Sequence, residues 1–291
     1  MKKRIMIFGG TGMLGHCLFT QYLRNDKLDV YATALSIRPE EKWFESRYKK
    51  RLVVGVDAED FTAITHILED IKPDIVINCI AFIRQSQIES YPLATITVNA
   101  QFPHRLALAC QKTGARLIQI SSDVVFDGKK GMYVEQDKKN ISDFYGMTKF
   151  LGEVSYPNCV TIRTSIIGHE LLEKVGLVEW FLGQKEKVRG YTNVIYSGLP
   201  TVELARVIID YILPHKELSG VYHVSSAPIA KYDLLRLIAA QYGKQIEIEP
   251  YAGVMSDRSL DSSQFRSLTG YNPPSWEELV NRMYNEHNEQ K

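Results

Sequence analysis

The amino-acid sequence predicts an α/β protein whose core is a mostly parallel β-sheet with helices on both faces. Short apolar runs of about five residues alternate with longer stretches whose apolar residues recur at helical spacing. The short runs are continuously apolar, as expected for strands that are buried on both faces. A glycine-rich turn joins the first apolar run to the first helical stretch. Together these observations predict repeated β–α units.

Each element of the first half can be assigned in order. The predicted strands are Arg4–Phe8, Asp29–Thr33, Arg51–Gly55, Asp74–Cys79, Arg116–Ser121 and Cys159–Arg163. The predicted helices are Gly12–Arg24, Phe61–Ile71 and Leu93–Thr113. The second helix stops at Lys72-Pro73 and the third at Gly114, which are typical residues for a helix end.

Beyond about Thr164 the alternation becomes less regular. The sequence predicts helices over Val202–Leu213, over Lys231–Tyr242 and from about Ser275, with a strand over Gly220–Val224. We therefore expect a dinucleotide-binding domain over residues 1–165, rejoined by residues 195–224. A smaller, irregular α/β substrate lobe is expected over residues 166–194 and 225–291. Neither a repeat nor a low-complexity linker marks the boundary.

Composition excludes several classes of protein. The chain has 291 residues, of which 45% are apolar and 24% charged, which is ordinary for a globular protein. Its net charge of +1 argues against nucleic acid or an anionic membrane as a partner. No apolar run approaches the ~18 residues of a membrane span, and no signal peptide is expected. The four cysteines and seven histidines are scattered, so we expect reduced thiols, no catalytic metal and a cytoplasmic location.

The glycine turn is the first functional signal. Gly9, Gly12 and Gly15 follow the first strand and open the first helix. Glycine lets the backbone approach a pyrophosphate closely, and a helix N-terminus offers free N–H groups. A plain turn between strand and helix would explain one glycine but not three at this spacing. We expect contacts to a dinucleotide from Gly9, Thr11, Gly12, Met13, Leu14 and Gly15.

The end of the second strand bears on the type of cofactor. An acidic residue there would hold the ribose hydroxyl of NAD, whereas a nearby arginine favours the phosphate of NADP. No carboxylate follows Thr33 before Glu40. This favours NADP(H) over NAD(H), with Ser36 and Arg38 as phosphate contacts, although Arg38 can equally be a solvated surface residue.

Asp57 follows the third strand, where a side chain can reach the adenine of a dinucleotide. The competing role is to cap the helix that starts at Phe61, for which Asp60 is better placed.

Tyr145 and Lys149 form a YxxxK pair, which places both side chains on one helix face. A ketone reduction needs a proton on oxygen, and a phenol has a pKa of about 10, so it must be tuned to exchange protons near neutral pH. An ammonium one turn away stabilises the phenolate and can bind a ribose. The motif alone is common, but it follows the fifth strand at the distance expected for a helix that borders a nicotinamide pocket.

Ser122 and Asp123 follow the fifth strand. Hydroxyls at the carboxyl end of a parallel strand face the crevice where doubly wound folds bind ligands. A serine there can polarise a substrate carbonyl. Capping of a local turn is the alternative role for these residues.

Together these residues resemble the extended short-chain dehydrogenase/reductase superfamily, and within it the dTDP-4-dehydrorhamnose reductase branch. The segment SSDVVFDG is similar to the STDYVFDG of that branch. Further matches are YGMTK, Val98-Asn99-Ala100, Leu199-Pro200-Thr201 and Asn78-Cys79-Ile80-Ala81, which stands where the family has an NAAA-like turn. The resemblance spans nearly the whole chain and preserves the order of the motifs.

The resemblance implies a Rossmann-like doubly wound parallel sheet and a role for each matching residue. Ser122 stands at the position of the catalytic threonine, Tyr145 would donate the proton, and Lys149 would activate it and bind the ribose. Ala81 and Asn99 would support the cofactor. The implied substrate contacts are Ser122, Asp123, Val124 and Arg258, the last in a segment similar to the late arginine segment near the nucleotide-sugar.

Val124 replaces the tyrosine of the family, and Phe82-Ile83-Arg84 departs from the usual polar stretch after the fourth strand, so the sequence leaves the identity of the substrate open. The 4,6-dehydratases carry an acidic residue at the position of Val124, and its absence argues against dehydration.

The resemblance implies NADPH-dependent reduction of the 4-keto group of a nucleotide-activated deoxysugar, in synthesis of a cell-surface deoxysugar. A sugar-nucleotide epimerase shares the same cofactor turn and Tyr–Lys pair. The alternative from another class is a catalytically silent regulatory subunit, against which Ser122, Tyr145 and Lys149 argue. The expected partner is the nucleotide-sugar, and the chain can also pair as a homodimer.

Overall fold

The computed structural model describes residues 2–37, 48, 50–83, 88, 90–141, 143–171 and 175–289. They form two compact units. The first comprises Met1–Ser121, Asp143–Ile162 and Glu217–Val221; the second comprises Ser122–Ser142, Arg163–Lys216 and Tyr222–Lys291. These units are defined by packing alone, so the predicted division into a cofactor domain and a substrate lobe stays a prediction.

A seven-stranded sheet in the order β11-β6-β5-β4-β1-β2-β3 is the centre of the fold among the described residues. Its strands are β1 (Lys3–Phe8), β2 (Leu28–Ala34), β3 (Leu52–Val54), β4 (Ile75–Asn78), β5 (Arg116–Ile120), β6 (Cys159–Arg163) and β11 (Gly220–His223). Strand β1 pairs in parallel with both β2 and β4, and the sequence order reverses there. The predicted doubly wound α/β sheet is confirmed.

The helices of the first unit are α1 (Met13–Leu23), α2 (Phe61–Ile71), α3 (Pro92–Ile96), α4 (Phe102–Thr113) and α5 (Phe144–Leu151). One core of this unit packs β1, β4 and β5 against α2 and α4. The ring of Phe102 meets that of Phe8 edge-on at 6.0 Å and that of Phe61 at 6.4 Å. The first contact joins α4 to the sheet, and the second joins α4 to α2.

The predicted single helix over Leu93–Thr113 contains an irregular turn. Residues Thr97–Gln101 form a π-helical turn between α3 and α4, in which the backbone N–H of Phe102 donates to the carbonyl of Thr97. A π-turn holds one residue more than an α-turn and is frequent at functional sites. Apolar periodicity does not register one extra residue, so the sequence predicted a regular helix.

Among its described residues the second unit contains shorter strands, five α-helices and a π-helical turn, Ile208–Ile212, within the predicted helix Val202–Leu213. The helices are α6 (Leu177–Gly183), α7 (Thr201–Val207), α8 (Lys231–Tyr242), α9 (Ser263–Thr269) and α10 (Trp276–Glu289). The strands are β7 (Ile166–Ile167), β8 (Val188–Tyr191), β9 (Val194–Tyr196), β10 (Leu199–Pro200), β12 (Ile229–Ala230), β13 (Ile248–Tyr251) and β14 (Ser256–Asp257). Strand β9 lies between β12 and β14 in a three-stranded sheet, in which it is antiparallel to β12 and parallel to β14.

Within the part of the chain described, no helix combines the length and apolar character needed to cross a membrane. No disulfide joins the four cysteines, all of which are described; Cys17, Cys110 and Cys159 are buried, and Cys79 is partly exposed.

Candidate functional site

The turn after β1 is folded back on itself at its glycines. Gly9 has a φ of +86°, which L side chains rarely adopt, and its N–H donates to Thr33 Oγ1 at 3.2 Å. A Cβ on Gly15 would lie 2.0 Å from the carbonyl oxygen of Gly9, so only glycine allows α1 to start this close to β1. Two of the three glycines are therefore required by the backbone.

The N-terminus of α1 suits an anion. Its N-cap residue is Gly12, which provides no side-chain cap, and the first turn holds no acidic side chain. The first N–H groups of a helix lack partners within the helix and carry a positive partial charge. Met13 is half-buried here, whereas the side chain of Leu14 is buried in the core, so only the backbone of Leu14 can serve a ligand. A pyrophosphate fits this turn.

A cleft with a cavity volume of about 340 Å³ lies at the carboxyl ends of the first four strands. This is the position at which doubly wound sheets bind ligands. Residues that follow each of these strands line it: Gly9, Thr11, Gly12, Thr33, Ala34, Leu35, Val56, Asp57, Glu59, Cys79, Ile80, Ala81 and Phe82. The structure thus brings the glycine turn, Asp57 and Ala81 to one cleft whose shape and donors fit a dinucleotide.

At the end of β2, no carboxylate lines the cleft among the residues described up to Ile37. Ser36 is exposed directly after Leu35, a lining residue, while Arg38 lies outside the described residues. Asp57 Oδ1 accepts from the N–H of Glu59 at 2.9 Å, and Asp60 is the residue that caps α2. Asp57 therefore lines the cleft and does not cap α2.

Asn99 holds the loop after β4. Its Oδ1 accepts from the N–H of Phe82 at 2.8 Å, and its Nδ2 donates to the carbonyl of Phe82 at 3.0 Å. Nδ2 also lies 3.2 Å from Thr148 Oγ1 on α5. Asn99 is fully buried in the π-turn, so it links the cleft wall to the helix that carries the YxxxK pair.

Tyr145 and Lys149 lie on α5, one turn apart, as predicted. Asp143 caps this helix by accepting from the N–H of Gly146 at 2.7 Å. The Lys149 ammonium is buried and donates to the carbonyl of Ile120 at 2.8 Å. Burial lowers the pKa of Lys149 to about 8, against the opposing effects of Glu153 and of Cys79, which lines the cleft.

The chemistry of this helix follows from those contacts. Tyr145 is half-buried, and a Tyr hydroxyl can donate or accept a proton. A buried cation one turn away stabilises the phenolate form and lowers the cost of proton transfer. Glu153 in turn accepts from Ser121 Oγ at 2.8 Å, which fixes the carboxylate beside Lys149.

Ser122, Asp123, Val124 and Arg258 belong to the second unit. Ser122 caps the 3-10 turn Asp123–Val125: its Oγ accepts from the N–H of Val124 at 3.4 Å and donates to Asp123 Oδ1 at 3.2 Å. Arg258 Nε donates to the carbonyl of Phe126 at 3.0 Å. Burial raises the pKa of Asp123 to about 6, opposed by the positive charges of Arg258 and Lys231. Ser122 therefore caps this turn, and the cap is compatible with the predicted ligand-facing role.

Sequence reasoning missed three residues of these groups. Thr33 anchors the glycine turn, Thr148 connects Asn99 to α5, and Lys231 affects Asp123 electrostatically. Thr33 could have been found, because the side chain of a strand terminus beside a glycine turn is a natural acceptor. Lys231 gave no local signal, since it is distant in sequence from Asp123. Among the described residues, no group of three His, Cys, Asp or Glu side chains could hold a metal ion.

The doubly wound sheet, the glycine turn at its switch point and the YxxxK helix define a protein of the extended short-chain dehydrogenase/reductase class. Within this class the family model of the RmlD substrate binding domain matches residues 3–289. The chain belongs to this family.

Curated relatives of two kinds are similar in sequence. Methionine adenosyltransferase 2 subunit beta of Bos taurus is 33% identical over 151 residues, which cover 52% of this chain and 42% of that protein. The match thus spans less than half the length of that relative. The spore coat polysaccharide biosynthesis protein SpsK of Bacillus subtilis is 27% identical over 242 residues, covering 76% of this chain and 82% of that protein.

Solved structures share the fold at low identity. A dTDP-4-dehydrorhamnose reductase from Clostridium acetobutylicum superposes with a TM-score of 0.80 at 24% identity, covering 97% of this chain and 98% of that one. The same kind of reductase from Bacillus anthracis, solved in complex with NADP, gives a TM-score of 0.80 at 23% identity over 98% of this chain and 99% of that one. At this identity the likeness shows the fold.

Proposed function

We propose that this protein reduces the 4-keto group of a nucleotide-activated deoxysugar, with NADPH as the reductant. The observation that carries the proposal is the buried Lys149 ammonium, one helical turn from Tyr145 and electrostatically coupled to Cys79 of the cleft wall. A buried ammonium at this position would stabilise the phenolate that forms when Tyr145 gives up its proton. The family and the two reductases of the same fold support this proposal.

The first unit would hold the cofactor, which supplies the hydride when bound. The N–H groups at the start of α1 bind the pyrophosphate, and Thr33 keeps the glycine turn in place. Asp57 would contact the adenine, and Ser36 and Arg38 would bind the ribose phosphate. Lys149 donates to the nicotinamide ribose while it retains the carbonyl of Ile120 as a second acceptor.

The proton has a separate source. Tyr145 donates it to the carbonyl oxygen of the sugar, and Lys149 stabilises the phenolate that this leaves. Ser122 donates a hydrogen bond to the same oxygen and polarises the carbonyl. Arg258 carries the positive charge for the diphosphate of the substrate.

The test is a Tyr145→Phe variant assayed with a panel of 4-keto nucleotide-sugars and each reduced cofactor, followed by loss of cofactor absorbance. We expect activity to fall by about 10²–10⁴-fold while cofactor affinity persists. Tyr156→Phe is the matched control, because it removes a hydroxyl that bonds His104 elsewhere in the first unit. Unchanged activity in Tyr145→Phe would refute the assigned proton donor.

Two alternatives remain, and each has its own readout. An epimerase of the same superfamily would retain its cofactor tightly, so release of NADP⁺ during turnover distinguishes a reductase. A regulatory subunit is favoured by the likeness to methionine adenosyltransferase 2 subunit beta. Absence of turnover with every substrate, together with binding to a methionine adenosyltransferase catalytic subunit, would favour that role. Light scattering in solution tests the predicted homodimer.

A further inference from the structure

Ser122 and Asp123 share a hydrogen bond at the start of the 3-10 turn in the second unit. Ser122 Oγ donates to Asp123 Oδ1 at 3.2 Å and accepts from the N–H of Val124 at 3.4 Å. A hydroxyl carries a single hydrogen and two acceptor lone pairs. While that hydrogen points to Asp123, it is not available to another acceptor.

Two cations and one phenol, from three other segments of the second unit, interact with the carboxyl of Asp123. Arg258 follows β14, Lys231 begins α8, and Tyr196 ends β9. The two cations favour the ionised carboxyl, and the carboxylate in turn helps to raise the pKa of the buried Tyr196. Burial opposes the cations and dominates, so the pKa of Asp123 is raised to about 6. Both protonation states of this carboxyl are therefore accessible near neutral pH.

The protonation state of Asp123 determines the direction of its hydrogen bond with Ser122. An ionised carboxylate only accepts, so it holds the hydrogen of Ser122. A protonated carboxyl can donate its own O–H to Ser122 Oγ, which leaves the hydrogen of Ser122 free to turn away. The same pair of atoms thus carries a hydrogen bond of either direction.

We infer that Asp123 is a positioning residue that decides whether the Ser122 hydroxyl donates to its neighbour or to the carbonyl of the substrate. This inference rests on the proposed function, in which Ser122 polarises that carbonyl. It differs from the expectation that Asp123 is itself a substrate ligand. Lys231 and Arg258 set the balance, because they stabilise the state in which Ser122 is withdrawn from the substrate.

The sign of the pH dependence follows. The productive state is the one with a protonated Asp123, so kcat falls as the pH rises through the pKa of Asp123. In Asp123→Asn the amide Nδ2 can donate to Ser122 Oγ at every pH, so kcat loses this dependence. Removal of the cation in Lys231→Met raises the pKa of Asp123 and moves the falling limb to higher pH, by about one unit.

The experiment measures kcat and KM against pH for the wild type, Asp123→Asn, Asp123→Ala and Lys231→Met. We expect Asp123→Asn to be active and flat across this limb. Asp123→Ala should also be flat, but with a lower kcat than Asp123→Asn and little change in KM, because no neighbouring donor then orients the Ser122 hydroxyl. A limb that persists in Asp123→Asn, or an Asp123→Ala variant that changes KM alone, overturns the inference and leaves the proposed reduction standing.

A second readout needs no turnover. Carbon-13 NMR of labelled aspartate carboxyls reports the titration of Asp123 in the wild type and in Ser122→Ala. Loss of the donor from Ser122 should raise the pKa of Asp123, since that hydrogen bond favours the ionised form. If no substrate is reduced, the proposed function fails, and this titration still decides the coupling: a raised pKa supports it, and an unchanged pKa overturns it.

Discussion

The side chain of Asn99 forms two hydrogen bonds with the backbone of Phe82: its amide oxygen accepts from the N–H, and its amide nitrogen donates to the carbonyl. Side-chain amides offer a donor and an acceptor at fixed spacing, which matches one peptide N–H and one carbonyl. The loop after β4 is therefore held by a buried side chain from the π-turn. Four predictions follow from this and related contacts.

Replacement of Asn99 by Ala leaves both polar groups of Phe82 unpaired near the cleft. We expect a loss of about 1–3 kcal/mol in the free energy of unfolding and weaker cofactor binding, because the cleft wall is no longer held. Urea unfolding and a fluorescence titration with NADPH measure the two effects. Asn285→Ala, an exposed position on α10, is the control and should change neither. Unaltered cofactor affinity in Asn99→Ala would contradict the role of this pair.

A methyl group at Gly15 must displace the glycine turn, since its carbon would meet the carbonyl oxygen of Gly9 at 2.0 Å. We expect Gly15→Ala to cost about 1–3 kcal/mol of stability and to abolish dinucleotide binding. Gly183→Ala is the control, because it makes the same substitution at a position where a Cβ meets nothing within 4 Å. Calorimetric melting with and without cofactor gives both quantities, and a Gly15→Ala protein that is still stabilised by NADPH would count against the close approach.

A carboxylate at position 36 should reverse the proposed preference for NADPH over NADH. Ser36 is exposed and adjoins Leu35 of the cleft, so Ser36→Asp places a negative charge beside the ribose. Repulsion of the phosphate should weaken NADPH by tenfold or more relative to NADH, an energy of about 1.4 kcal/mol. Dissociation constants for both cofactors are compared with those of Asn272→Asp, an exposed position in the second unit. Equal effects on both cofactors would place Ser36 away from the ribose phosphate.

Glu203 is a fully buried carboxylate in α7 that pairs with Arg282 and accepts from the hydroxyl of Tyr271 at 3.2 Å. Its removal in Glu203→Ala leaves Arg282 without its buried counter-charge, and we expect a loss of about 3–5 kcal/mol. Glu278 pairs with the same arginine from an exposed position, so Glu278→Ala should cost less than about 1 kcal/mol. Urea unfolding of both variants measures the two losses in free energy of unfolding. Equal losses would show that burial does not determine how much each carboxylate contributes to its pair with Arg282.

Local patterns in the sequence were sufficient for most of the fold. Three elements, Phe61–Ile71, Cys159–Arg163 and Lys231–Tyr242, have the predicted bounds, and the two helices among them end at Lys72-Pro73 and at Gly243. The glycine turn was recognisable because its constraint is local: a positive φ and a missing side chain. The YxxxK pair was recognisable for the same reason, since one helix carries both residues.

Other features depend on contacts between distant segments, and no local pattern reports them. The contact of Asn99 with Phe82 requires the π-turn, and the effect of Lys231 on Asp123 requires the small sheet of β12, β9 and β14. His223 shows the opposite case: it lies in the apolar run predicted as the strand Gly220–Val224, and it is fully buried with Nδ1 2.9 Å from the carbonyl of Tyr133. An apolar strand context was enough to predict burial, but not the partner.

The extra residue in Thr97–Gln101 constrains how this chain can change in length. Each residue of an α-helix turns the chain by about 100°. Deletion of one residue here would restore a regular helix and rotate Phe102 away from Phe8, or else rotate Asn99 away from the loop it holds. We therefore expect homologues that keep both the Phe102–Phe8 contact and the Asn99–Phe82 hydrogen bonds to keep the extra residue. The identity of the exposed Gln101 can vary, because only its place in the backbone is needed.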